Sequence, residues 1–357
     1  MSTIRVGEFP DFLREVYGYT PFPWQQNLIR TVVEDGFPET IQIPSGAGKT
    51  ASIDVAVFNL AIQAKSPDRT APLRIFYTID RRVVVDQAHR RAAELAEALR
   101  NPEEHGPVTE KVAENLSALS ATDNPLAVEK MRGGLHRDEV WFEDPSQPAV
   151  YLTTVDQIGS RLLFRGYGVS DSMKPVHAGL AGTDALYILD EVHLSNPFRE
   201  TLEQVESLRS QEGIDRPFNT VSMSATPIED GWQSEKTQES DLQDDVLGPR
   251  LRSSKSAALV KTDLNGSKNP DEKHADVLAE CAEGLVDTDT TPGSPVIGVI
   301  VNTVKTARKV HSKLSDREGE ASLVVGRGRG WERERVIEEG LEAGALLWTG
   351  GSVDRQK

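Results

Sequence analysis

The chain has 357 residues, 38% hydrophobic and 27% charged, a globular composition long enough for two ordinary domains with their own cores. Lys and Arg total 40 against 56 Asp and Glu, a net charge of −16. That balance excludes a protein that coats polyanions with its whole surface and leaves only a local basic groove for such a partner. The longest apolar runs, such as Val296 to Val301, are far too short to span a bilayer, and no basic-then-apolar leader opens the chain. The single Cys281 can form neither an internal disulfide nor a cysteine-based zinc site. A reducing cytoplasm and no membrane association are expected.

Short β-branched apolar runs alternate with longer helical patterns, which predicts an α/β fold with a parallel sheet covered by helices. Strands are predicted at Thr40–Pro44, Leu73–Ile79, Val150–Thr154, Ala185–Asp190 and Asn219–Ser224. Helices are predicted over Lys49–Ala64, Arg82–Arg100 and Phe198–Gln211, and this first unit is placed at 1–230. The stretch from Gly231 to Arg252 is polar with few apolar anchors, and "DTDTTPGSP" (Asp287 to Pro295) is a second turn-rich break. A connecting segment over 231–295 is therefore expected, holding a strand at Ala257–Thr262 and a helix at Asp271–Leu285. A second α/β unit is placed at 296–357, with a strand from Val296, an amphipathic helix in "VKTARKVHSKL", a strand at Ala321–Val325 and a charged helix near Glu332–Glu342. It is shorter than a typical α/β domain.

"TIQIPSGAGKTAS" (Thr40 to Ser52) sets a strand-like segment before Ser45, Gly46, Ala47, Gly48, Lys49 and Thr50 and then a helix. Such a loop curls at its glycines so that backbone N–H groups face phosphates, with Lys49 as a point charge and Thr50 as a Mg²⁺ ligand. The general pattern opens with a glycine, and here that position is Ile43. The bland alternative is a glycine turn before a helix with a solvated lysine.

"ALYILDEVHLS" delivers Asp190 and Glu191 to the end of a hydrophobic strand, where ligands bind in parallel sheets. An Asp there can hold Mg²⁺ and the adjacent Glu can polarise water, although such a pair also serves as a plain helix cap. "VSMSATP" (Val221 to Pro227) places small hydroxyl residues at another strand end, suited to a hinge or to an ordinary proline turn. In "YTPFPWQQ", Gln25 can read an adenine edge while an aromatic ring packs on the base; Phe22 and Trp24 are equally readable as a core staple. Arg81 and Arg82 at one helix start, and Thr153, Thr154, Asp156 and Gln157 at another, suit sugar-phosphate contacts or surface capping.

The order Gln25, SGAGKT, TIDRR, TTVDQ, DEVH and SAT resembles a superfamily 2 helicase, in which two RecA-like lobes clasp ATP. "FYTIDRRVVVDQA" and "TVDQIGSRLLFRGYGVS" resemble more closely the CRISPR-associated DEAH-type helicases of type I interference systems, in the branch without an N-terminal nuclease domain. The resemblance runs from Gly18 to about Gly328. It accounts for Ile43, because the loop in that superfamily commonly reads [AP]-[TS]-G-x-G-K-T.

By that resemblance Gln25 recognises adenine, Lys49 and Thr50 hold phosphate and Mg²⁺, Asp190 coordinates Mg²⁺ and Glu191 activates water. His193, Ser224 and Thr226 would couple hydrolysis to movement. The implied cofactors are ATP and Mg²⁺, and the implied partners are single-stranded DNA and an RNA-guided CRISPR surveillance complex. Two departures stand out. The seven His residues form no His-Asp pair for an HD-type nuclease. Arg327 and Arg329 in "VVGRGRGWERER" lack the Q-x-x-G-R-x-x-R context of an arginine finger, so the chain is expected to be truncated within its second lobe and to turn over slowly or not at all by itself; the alternative is a catalytically weak or inactive fragment that binds ATP, DNA or the surveillance complex without unwinding.

Overall fold

The alternating runs build one seven-stranded sheet in a computed structural model that describes residues 3–79, 82–131, 144–225, 234–253, 257–262, 269–288, 297–315 and 321–325. In chain order come α1 (Phe9–Tyr17), α2 (Pro23–Asp35), β1 (Thr40–Gln42), α3 (Ser52–Gln63), β2 (Arg74–Ile79), α4 (Arg82–Arg100) and α5 (Pro107–Ser117). Then follow β3 (Ala127–Met131), β4 (Ala149–Thr153), α6 (Val155–Leu162), α7 (Lys174–Ala181), β5 (Ala185–Asp190) and α8 (Asn196–Gln211). The series closes with β6 (Phe218–Ser224), β7 (Ser234–Lys236), α9 (Glu239–Gln243) and α10 (Leu247–Arg252).

The sheet order is β3-β4-β2-β5-β6-β1-β7, and every neighbouring pair is parallel. All strands therefore end at one edge, where loops from different strands meet. Strands β2 and β5 are buried at every residue, as expected of parallel strands covered on both faces. Ile75, Leu152 and Ile188 face one core with α3 and α4, while Phe76, Tyr151 and Tyr187 face the other. Phe76 lies in register with both tyrosines and stacks on them at 5.0 and 4.9 Å between ring centroids, a cross-strand aromatic ladder that fixes the register.

The first compact unit runs to Ser253, beyond residue 230. The polar stretch expected to act as a connector instead adds β7 to the sheet beside β1 and docks α9 against α2. Its anchor is Asp241, fully buried, which accepts hydrogen bonds from the backbone N–H groups of Trp24 (2.9 Å) and Gln238 (2.8 Å). One carboxylate thereby closes the exposed starts of two helices. An edge strand needs only backbone pairing on one side, so "SEK" carries no apolar run to announce it.

The second unit, Ser254–Lys357, contains α11 (Pro270–Thr288) and α12 (Val304–Ser315). They pack through Ala275, Ala279 and Val310 and are laced by Lys309 and Lys313 to Glu272, each at 2.9 Å. The strands expected at Ala257–Thr262, after Val296 and at Ala321–Val325 form no ladder among the described residues, and Leu259 and Ile300 stand in solvent. A β-branched run becomes a strand only when a neighbour completes its hydrogen bonds. The predicted helix near Glu332–Glu342, and Arg327 and Arg329, lie outside the described residues.

Candidate active site

The phosphate-loop sequence lies between β1 and α3. Gly46 (φ 82°) and Gly48 (φ 78°) are both left-handed, which lets the backbone turn back over the end of β1. A Cβ on Gly48 would sit 2.8 Å from Gln25 Nε2 and 3.6 Å from the Phe22 ring, so the left-handed backbone favours glycine there and a side chain would push the Gln25 amide aside. Ile43, at the position where the general pattern has glycine, is 1% exposed and part of the main core. A hydrophobic residue is demanded there by the sheet. Lys49 opens a single 3₁₀ turn that runs into α3.

Asp190 ends β5, one strand removed from β1 with β6 between them. The Lys49 ammonium crosses that gap to lie 3.1 Å from Glu191 Oε1 and 3.8 Å from Asp190 Oδ1. Glu191 holds a left-handed backbone (φ 53°, ψ 51°), a sparsely populated conformation for a non-glycine residue. His193 Nδ1 is 3.6 Å from Glu191 Oε2 at the solvent margin. Ser224 is buried at the end of β6 between the two strands; Thr226 lies outside the described residues.

Tyr77, from β2, donates its hydroxyl to Asp190 Oδ2 at 2.9 Å and is also hydrogen-bonded to Thr50. Burial pushes the Asp190 carboxyl above its usual range, and the nearby Lys49 charge opposes that push. Asp190 Oδ1 has no hydrogen-bond partner among the described residues. A carboxylate with one oxygen held by Tyr77 and the other left without a hydrogen bond, facing only Lys49 at 3.8 Å, fits a site for a hard divalent cation with oxygen ligands. Tyr77 escapes sequence reading because it looks like any aromatic strand residue; its signal is that a buried tyrosine hydroxyl must find a partner.

On the other side of the loop, α2 supplies two contacts to it. Trp24 Nε1 donates to the Ala47 carbonyl (2.9 Å), and Gln25 Nε2 donates to the Gly48 carbonyl (3.1 Å). Gln25 Oε1 accepts from the Phe22 N–H at 2.9 Å. Trp24 is fully buried, so it serves as a core staple that also clamps the loop. Arg250, from α10, donates to the Gly46 carbonyl at 3.4 Å. Ser45 is exposed at the loop tip.

The described residues among those expected to contact sugar-phosphate end or follow β4 and β2 at the same edge. Thr153 closes β4 and Thr154 is the N-cap of α6, followed by exposed Asp156. Gln157 accepts from Arg161 within that helix (3.0 Å). Arg82 begins α4 after β2, and Arg81 lies outside the described residues. The phosphate-loop group thus occupies the β1–β6–β5 side of the edge and the Thr153 group the β4–β2 side.

No family model and no curated protein matches the chain. Among solved structures it is similar to an S. cerevisiae Dbp5 variant bound to a Gle1 variant and IP6, at 17% identity and a TM-score of 0.45 over 95% of this chain and 72% of that one. It is also similar to the S. cerevisiae Dbp5 variant bound to Nup159, a Gle1 variant, IP6 and ADP, at 18% identity and a TM-score of 0.37 over 94% and 74%. A DEAD box protein from the hyperthermophile Methanococcus jannaschii gives 16% identity and a TM-score of 0.34 over 94% and 74%. Likeness at this level assigns neither family nor activity. Among the described residues no helix is long and apolar enough to cross a membrane.

Proposed function

We propose that the chain is an ATP-hydrolysing nucleic-acid motor of the superfamily 2 type, acting on single-stranded DNA in type I CRISPR interference. The observation that carries the reading is the meeting of Lys49 with Glu191 and Asp190 across the tip of β6. A loop with the residue types for phosphate binding faces an acid pair with the residue types for metal and water. Thr50 and Asp190 would hold Mg²⁺, which supplies charge neutralisation on the phosphates when bound. Lys49 orients the terminal phosphates, and Glu191 sits where an attacking water would be polarised.

The motif resemblance, and the polar residues Thr154, Asp156 and Gln157 that follow β4 at the same edge of the sheet, support nucleic acid as the effector. The partner reading, an RNA-guided surveillance complex, rests on the "LLFRGYG" and "DRRVVVDQ" stretches. Because guide pairing would choose the target, the motor itself needs only backbone contacts. Steady-state ATP hydrolysis measured with single-stranded DNA, duplex DNA and single-stranded RNA tests the effector. Stimulation by single-stranded DNA above the other two is expected; equal rates without nucleic acid would overturn the motor reading.

A further inference from the structure

We propose that Arg250 is a base-contacting residue of the nucleotide site, closing over a purine ring that stacks on Phe22. The inference rests on the nucleotide reading above and adds a residue that no sequence motif marks. Helix α10 brings the Arg250 guanidinium to 6.0 Å from the Phe22 ring centroid, while its Nη1 reaches the Gly46 carbonyl at 3.4 Å. The Phe22 ring and the Gln25 amide both border Gly48, and Gln25 joins the Phe22 backbone N–H to the Gly48 carbonyl. A nucleotide whose phosphates sit on Gly46–Thr50 would therefore bring its base toward Phe22, on the side where Arg250 stands.

The chemistry of Arg250 suits that role. At 6.0 Å it is at the outer reach of a direct cation–π contact, which extends to about 6 Å, so its hold on bare Phe22 is slight. It is exposed, and among the described residues its guanidinium has no carboxylate at ion-pair distance and one long hydrogen bond. Nothing strong need be broken for the guanidinium to swing outward and lie flat on a base. Arginine's planar group stacks on π faces where lysine's ammonium does not. Phe22 and Arg250 are also kept together by design of the fold: Asp241 ties the start of α2 to α9, and α10 packs on α9.

Calorimetric titration of ATP and of inorganic tripolyphosphate, each with Mg²⁺, into the wild-type chain and the Arg250→Ala and Arg250→Lys variants tests the proposal. Tripolyphosphate carries the loop-binding groups without a base. Both variants are expected to bind ATP about tenfold more weakly and tripolyphosphate within about twofold of wild type. Equal weakening of both ligands would make Arg250 a phosphate or loop-shaping residue, and unchanged ATP affinity would remove it from the site; either result overturns the base contact. A wild-type chain that binds neither ligand overturns the nucleotide reading instead. Arg250 is exposed, so unchanged melting temperatures of the variants are expected and separate lost contacts from lost folding.

Discussion

Lys49 Nζ lies 3.1 Å from Glu191 Oε1, so the loop lysine is ion-paired to an acid delivered by a strand two places away in the sheet. An incoming phosphate must take that lysine from the carboxylate. Removing the carboxyl charge while keeping its shape should therefore help binding and harm turnover. Glu191→Gln is expected to bind ATP up to roughly fivefold more tightly, since a partly exposed pair is worth at most about 1 kcal/mol. Lys49→Ala should lose measurable ATP binding. Equilibrium titration of both variants checks the pair.

Gly48 is held left-handed (φ 78°) with Gln25 Nε2 against its missing Cβ. Gly48→Ala is expected to cost roughly 1–2 kcal/mol from the backbone alone and to displace Gln25 from the loop. A lowered unfolding midpoint in urea, with ATP affinity reduced at least about tenfold, is the expected combination.

Asp241 joins a fully buried carboxylate to the N–H groups of Trp24 and Gln238, from segments 217 residues apart in the Trp24 case. Asp241→Ala leaves the buried Trp24 N–H without a partner, while that of exposed Gln238 can turn to water, and should destabilise the first unit by roughly 1–3 kcal/mol. Asp241→Asn, which keeps one acceptor, should lie between. Urea unfolding of the two variants measures the order.

Glu235 on β7 is buried, and burial first, then the nearby Asp241 charge, push its carboxyl up to about 7. The folded form therefore holds a proton that the unfolded chain releases near pH 4.5. That stabilising contribution is fully present below about pH 4.5 and fades as pH rises to about 7, with a size of roughly 1–3 kcal/mol. Glu235→Gln should flatten this part of the stability profile and raise stability at pH 8. Urea midpoints from pH 5 to 8 for both chains give the comparison.

Five central strands were legible in the sequence because parallel strands covered on both faces must be continuously apolar; the predicted Ala185–Asp190 matches β5 residue for residue. The edge strands were not. β3 ("AVEKM") and β7 ("SEK") are half-exposed and carry charges, so backbone pairing alone identifies them. In the site, Lys49, Asp190 and Glu191 announced themselves by motif and do meet. Tyr77, Asp241 and Arg250 did not, because each acts through a contact between segments far apart in sequence. Apolar runs around Leu259 and Ile300 misled in the opposite sense, since hydrophobicity without a neighbouring strand leaves extended chain.

The central claim, that the Lys49–Asp190–Glu191 group hydrolyses ATP, is tested most directly by steady-state phosphate release with Mg²⁺ and single-stranded DNA, comparing the wild type with Glu191→Gln. The account expects slow DNA-stimulated release from the wild-type chain, since its sequence shows no arginine finger, and a loss of at least about a hundredfold in the variant, the scale of a removed general base. Hydrolysis by Glu191→Gln equal to that of the wild type would contradict it.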